Sequence, residues 1–97
     1  MPIFQAKVLD FTEERYNEPH ILDTGIHSCV NRDYTVETAT HIVVLRQSTC
    51  TPNFNQALRV VIGTFVNIQQ NGNKAAILDV NGHPHWYFVF KLTRKEQ

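Results

Sequence analysis

Residues 54–70, FNQALRVVIGTFVNIQQ, fit two periodicities, and the choice between them decides the fold class. On a helical wheel Phe54, Leu58, Val61, Phe65 and Ile68 line one stripe, and Gln56, Arg59, Gly63, Asn67 and Gln70 line the opposite one. Thr51 and Pro52 would supply the cap and first turn. Read as a strand, Leu58, Val60, Ile62, Val66 and Ile68 share one face with Thr64. A helix would have to accept Val60, Val61, Ile62, Thr64, Val66 and an interior Gly63, all poor helix formers. Propensity therefore favours the strand.

The sequence that follows adds weight. Asn71-Gly72 is the dipeptide preferred by two-residue hairpin turns, and it separates this run from the apolar stretch Ala75–Val80. Asn81-Gly82 repeats the signal before a last segment in which Trp86, Phe88, Phe90 and Leu92 alternate with Tyr87, Val89, Lys91 and Thr93. Two such turns predict a three-stranded meander. Asn71-Gly72 would also serve as a helix stop, which keeps the alternative in view.

In the first half, Phe4, Ala6 and Val8 lie on one alternating face and Leu9 and Phe11 on the other, which predicts a strand with an irregularity midway. The polar run Thr12–Pro19 reads as a connection. Leu22, Ile26 and Val30, with Gly25 as a weak point, suggest a second strand, and Asn31–Asp33 a turn. Tyr34–Leu45, dense in Thr, Val and Ile, predicts a third. The expected architecture is all-β: about six antiparallel strands, with a short helical turn near Phe54–Leu58, in a small sandwich or barrel. The alternative is an α+β layer with an antiparallel sheet covered by one helix at about 52–70.

With 97 residues, 42% of them hydrophobic, the chain has length for a single domain, 1–97, and enough apolar surface to close a core without metal or disulfide support. Nine basic and nine acidic residues cancel, so no electrostatic footprint for nucleic acid appears. No apolar run approaches the roughly 20 residues of a membrane-spanning helix. The opening residues lack the pattern of an export signal, so a cytoplasmic location is expected, with Cys29 and Cys50 as reduced thiols or, in an oxidising compartment, as one bridge.

Candidate site residues are few. His83 and His85 flank Pro84, and in extended chain residues two apart point the same way, so both imidazoles could meet one ligand. His27 and Cys29 repeat the spacing. Two histidines alone bind a metal weakly, and no metal site is assigned. Trp86 and Tyr87 are large amphipathic side chains suited to a partner surface or a sugar ring. Tyr16 and Asn17, in the polar run, offer adaptable hydrogen bonding. No GxSxG elbow, HExxH helix or glycine-rich phosphate loop is present, so no catalytic residue and no cofactor is assigned.

The expected function is that of a non-enzymatic binding module acting through a protein–protein surface, as an inhibitor, adaptor, accessory subunit or homo-oligomer. Two other readings use the same residues. One is a lectin-like carbohydrate-binding module built on Trp86, Tyr87, His83 and the asparagine-rich turns; the other is a metal-dependent enzyme using His83 and His85.

Overall fold

Period-two alternation places every second side chain of a strand on one face, and a sheet with one apolar face must cover it. The chain does so by closing the sheet on itself. The structure, a computed structural model, describes residues 3–19, 26–50, 58 and 60–96. It contains β1 (Ile3–Pro19), β2 (Ile26–Glu37), β3 (His41–Cys50), β4 (Phe65–Asn71), β5 (Lys74–Leu78) and β6 (Pro84–Arg94). All pair antiparallel, in a closed barrel ordered β1-β2-β3-β6-β5-β4. Two meanders, β1–β3 and β4–β6, are thus sewn together along β3–β6 and β1–β4. The architecture is the expected all-β one in its barrel form. Among the described residues there is no helix, and the α+β alternative is not needed.

Several boundaries differ from the sequence reading. β1 continues straight through Thr12–Pro19, and several of its polar residues face polar partners on β2: Glu13 lies opposite Arg32 and Asn17 opposite Ser28. Cross-strand pairing of this kind substitutes for solvent. Asn31 and Asp33 sit in mid-strand for the same reason, since Asn31 accepts a hydrogen bond from Ser48 and Asp33 is paired with Arg46. The single strand expected over Tyr34–Leu45 is two, split where the Thr38 hydroxyl accepts from the amides of Thr40 and His41. Within 54–70, β4 begins only at Phe65. Gly63 adopts φ +94°, which favours glycine, and donates its N–H to the Val8 carbonyl at 2.7 Å. The second strand begins at Ile26, and Leu22 and Gly25 lie outside the described residues, as do Phe54–Ala57 of the suggested helical turn.

The turns refine the hairpin signals. Asn71 pairs with Lys74, so the two-residue loop is Gly72-Asn73, with Gly72 at φ +61°. The next is longer: Asp79 bonds His83 across Val80–Gly82, with Gly82 at φ +80°.

Inside the barrel, Ala6, Val8, Val36, Leu45, Ile68 and Ile77 are buried around Tyr34 and Tyr87, whose rings meet edge-on at 5.9 Å. Each fully buried Val, Leu or Ile contributes about 1.5–3 kcal/mol of transfer free energy. Two register shifts aim the strands. One, between Val8 and Asp10 on β1, leaves Leu9 as the extra residue and returns Phe11 to the inner face beside Tyr34, at 4.6 Å between ring centroids. The other, opposite Val44 and Leu45, leaves Phe90 as the extra residue on β6 and turns Leu92 inward.

The thiols are not free. Cys29 and Cys50 face each other in the β2–β3 register and form a disulfide, which corrects the reduced-thiol expectation. Directly opposed positions on neighbouring strands bring the two Cβ atoms within bonding reach, and that register is invisible in the spacing of two cysteines.

Candidate functional site

β6 carries two apolar faces, and the fold had to choose which one to bury. Strict alternation groups Trp86, Phe88, Phe90 and Leu92 against Tyr87, Val89, Lys91 and Thr93, but the extra residue Phe90 interrupts it, so that Leu92 joins Tyr87 and Val89 on the inner side. The barrel buries Tyr87, only 3% exposed, and half-buries Val89, while Trp86, Phe88 and Phe90 point outward at 38%, 55% and 56% exposure. Tyr87 therefore belongs to the core and offers no ring to a ligand outside. Burial raises its phenol well above the usual value, with a smaller contribution from Tyr34.

The neighbouring strands set cations beside this stripe. Phe88 lies between Arg46 of β3 and Lys74 of β5 in the two registers. The Arg46 guanidinium sits 3.6 Å from the centre of the Phe90 ring, and the Lys74 ammonium 5.3 Å from that of Phe88. Arg46 is also held by Asp33 through two parallel hydrogen bonds of 2.8 and 2.9 Å, which raise its already high pKa. Its charge is thereby matched, whereas Lys74 is exposed. Trp86 stands opposite Ala76, which is fully buried although it faces out of the barrel.

The two histidines converge, but on a carboxylate. Asp79 Oδ2 lies 3.1 Å from His85 Nε2 and 3.9 Å from His83 Nδ1, while Oδ1 accepts from the amides of Asn81 and His83 at 2.9 Å each. The His85 hydrogen bond, then the His83 amide, hold the Asp79 carboxyl below its usual range. The cluster closes the β5–β6 turn beside the start of the aromatic stripe. Cys29 cannot join a metal site because it is bridged, and the side chain of His27 lies outside the described residues. Among the described residues no group of three or more His, Cys, Asp or Glu is arranged to hold a metal.

Tyr16 and Asn17 lie on β1, which pairs with β2 and β4 and not with the strands carrying His85 and Trp86. They border a separate shallow hollow of about 280 Å³ with Arg15, Ser28 and Cys29, and Asn17 accepts a hydrogen bond from Ser28 at 3.2 Å. The structure thus brings His83, His85 and Trp86 to one end of β6 and leaves Tyr16 and Asn17 elsewhere. Phe88, Phe90, Arg46 and Lys74 complete the stripe and were not singled out in the sequence. The alternation on β6 was the available signal, but it does not say which face is inside.

Among the described residues no helix is long and apolar enough to cross a membrane. Comparison with known proteins finds no matching family, no matching curated protein and no matching solved structure.

Proposed function

We propose that this chain is a non-enzymatic binding domain that docks a protein surface against the outer face of β6. One observation carries the reading: three large aromatic rings, Trp86, Phe88 and Phe90, stand together on the outside of the barrel at 38%, 55% and 56% exposure. A cluster of exposed aromatic rings marks a contact surface, so a second burial event on binding is the natural use of it. Aromatic rings and arginine are the side chains that dominate protein interfaces, and Trp86, Phe88, Phe90 and Arg46 supply both in one patch. A closed barrel leaves little free sheet edge, so docking by side-chain faces fits better than strand addition.

The occupant proposed is a second copy of this chain. A two-fold contact stacks the same rings against their equivalents and requires no separate partner, and the formal charge of zero adds no repulsion between copies. Light scattering coupled to size-exclusion chromatography, over a concentration series, tests it. The expected result is a dimer that becomes a monomer in Phe88→Ser and Phe90→Ser, with thermal stability close to that of the parent because both rings are already half-exposed. A parent chain that stays monomeric at every concentration would overturn self-association. Retention on immobilised glycans that depends on Trp86 would instead favour the carbohydrate reading.

A further inference from the structure

Among the described residues the barrel is open at one end, and the space behind the opening is apolar. Phe4 of β1, Val36 of β2, Leu45 of β3, Ile68 of β4, Ala75 of β5 and Val89 of β6 line a cavity of about 380 Å³. Every strand contributes at least one wall residue, so the space is a property of the closed fold and not a surface groove. Its floor follows from the register: Leu45 is paired with Tyr34 and Ala75 with Tyr87, and those two rings meet edge-on across the interior. Ala75, itself buried, presents only a methyl group to the cavity. Protein interiors seldom keep voids larger than a water molecule, and an apolar one offers water few partners.

The rim has a different chemistry. Thr38, Gln70 and Asn73 stand at the opening, and beyond them a vestibule sharing Phe4, Thr38, Val43, Gln70 and Leu92 with the cavity is bordered by Gln5, Thr40 and His41. Among the described residues no charged side chain lines the cavity, and the Lys95 ammonium is engaged by Glu37 and by the Thr38 carbonyl, both at 3.3 Å. His41 Nδ1 is hydrogen-bonded to the Thr40 hydroxyl at 2.8 Å. A charged group entering the cavity would therefore be desolvated without a free counter-charge, which is costly, whereas a hydroxyl or amide at the rim finds amide and hydroxyl partners.

We infer that the open end of the barrel is a binding site for a small uncharged amphiphile whose apolar body fills the cavity and whose single alcohol or amide group lies against Gln70, Asn73 and Thr38. A dry cavity of about 150 Å³ takes benzene, so 380 Å³ suits an apolar body of roughly 10 to 15 carbons, an alkyl chain or two fused rings. The site is separate from the aromatic stripe, which lies outside β6, so either can fail without the other.

A titration of the ¹⁵N-labelled chain with 1-decanol, with decanoate in parallel, tests the inference by nuclear magnetic resonance. The expected result is saturable one-to-one shifts at Val36, Leu45, Ala75 and Val89, unmoved Trp86 indole resonance, and at least tenfold weaker binding of decanoate. Ala75→Leu, which fills the floor, should weaken 1-decanol at least tenfold while the rest of the spectrum stays dispersed. Leu92→Trp, at a rim position already 59% exposed, supplies the same block should the core variant not fold. Shifts that do not saturate, shifts on the outer face of β6 alone, binding unaffected by both variants, or decanoate binding as tightly as decanol would each overturn it.

Discussion

The hydroxyl of Tyr34, inside the barrel, donates a 2.6 Å hydrogen bond to the carbonyl of Leu58 and accepts one of 3.2 Å from the amide of Val60. One core side chain thus ties down a stretch that belongs to no strand, and Leu58 and Val60 pack against the core beneath it. The stretch has no sheet ladder to satisfy its backbone, so the phenol does this instead.

Replacing Tyr34 by Phe keeps the ring and removes both hydrogen bonds, leaving a carbonyl and an amide without their partner. The expected loss is about 1–3 kcal/mol in urea unfolding. Hydrogen exchange at the Val60 amide should accelerate by more than the global loss accounts for. Equal stability of the two chains would show that the hydroxyl does not anchor the segment.

The bond between Cys29 and Cys50 spans 21 residues of sequence, a loop whose closure constrains the unfolded chain by about 3 kcal/mol. Thiol titration in denaturant without reductant should find no free thiol. Addition of dithiothreitol should lower the denaturation midpoint, and the double variant Cys29→Ser, Cys50→Ser should match the reduced chain. Two titratable thiols in the protein as purified under air would contradict the bridge.

Asp79 makes stability depend on acid. Its carboxyl lies below the ordinary value of 3.8 in the folded chain, so the folded state favours the ionised form and the unfolded state takes up the proton first. The contribution is complete above about pH 4 and disappears as pH falls through the folded value. Asp79→Asn should be less stable than the parent at pH 7, and the two curves should converge in strong acid. Parallel curves from pH 7 to pH 2 would remove Asp79 from this role.

At the alkaline end the sign reverses in pH. The Tyr87 phenol is pushed up from its ordinary 10.0 by burial first, so the unfolded chain ionises there before the folded one does. Stability contributed by keeping this phenol neutral is intact below about pH 10 and is lost as pH rises beyond it. Tyr87→Phe should show a flatter decline in the denaturation midpoint between pH 9 and pH 12. Absorbance titration at 295 nm should lose one late-ionising phenol in the same variant.

Much of the second half was legible in the sequence because its signals are local. A period of two in Trp86–Thr93 and glycine next to asparagine at 71–72 and 81–82 depend on residues close together in the chain, and they led to the β4–β5–β6 meander. The first half was less legible for a long-range reason. Thr12–Pro19 and Asn31–Asp33 have the composition of loops, and they are strands only because β2 and β3 put Arg32, Ser28, Ser48 and Arg46 opposite them. Of the candidate site, His83, His85 and Trp86 share a neighbourhood, while Tyr87 is core and Tyr16 and Asn17 lie on another part of the barrel.

That this chain is built of antiparallel strands could be read from its residues directly, since alternation and turn chemistry act over a few positions and need no knowledge of what packs against them. Closure of the sheet, the meeting of Cys29 with Cys50, and the turning of Tyr87 inward and of Trp86, Phe88 and Phe90 outward on β6 emerge only once the chain is folded. Those outcomes depend on register between distant segments, and a shift of one residue in register exchanges the inner face of a strand for its outer one.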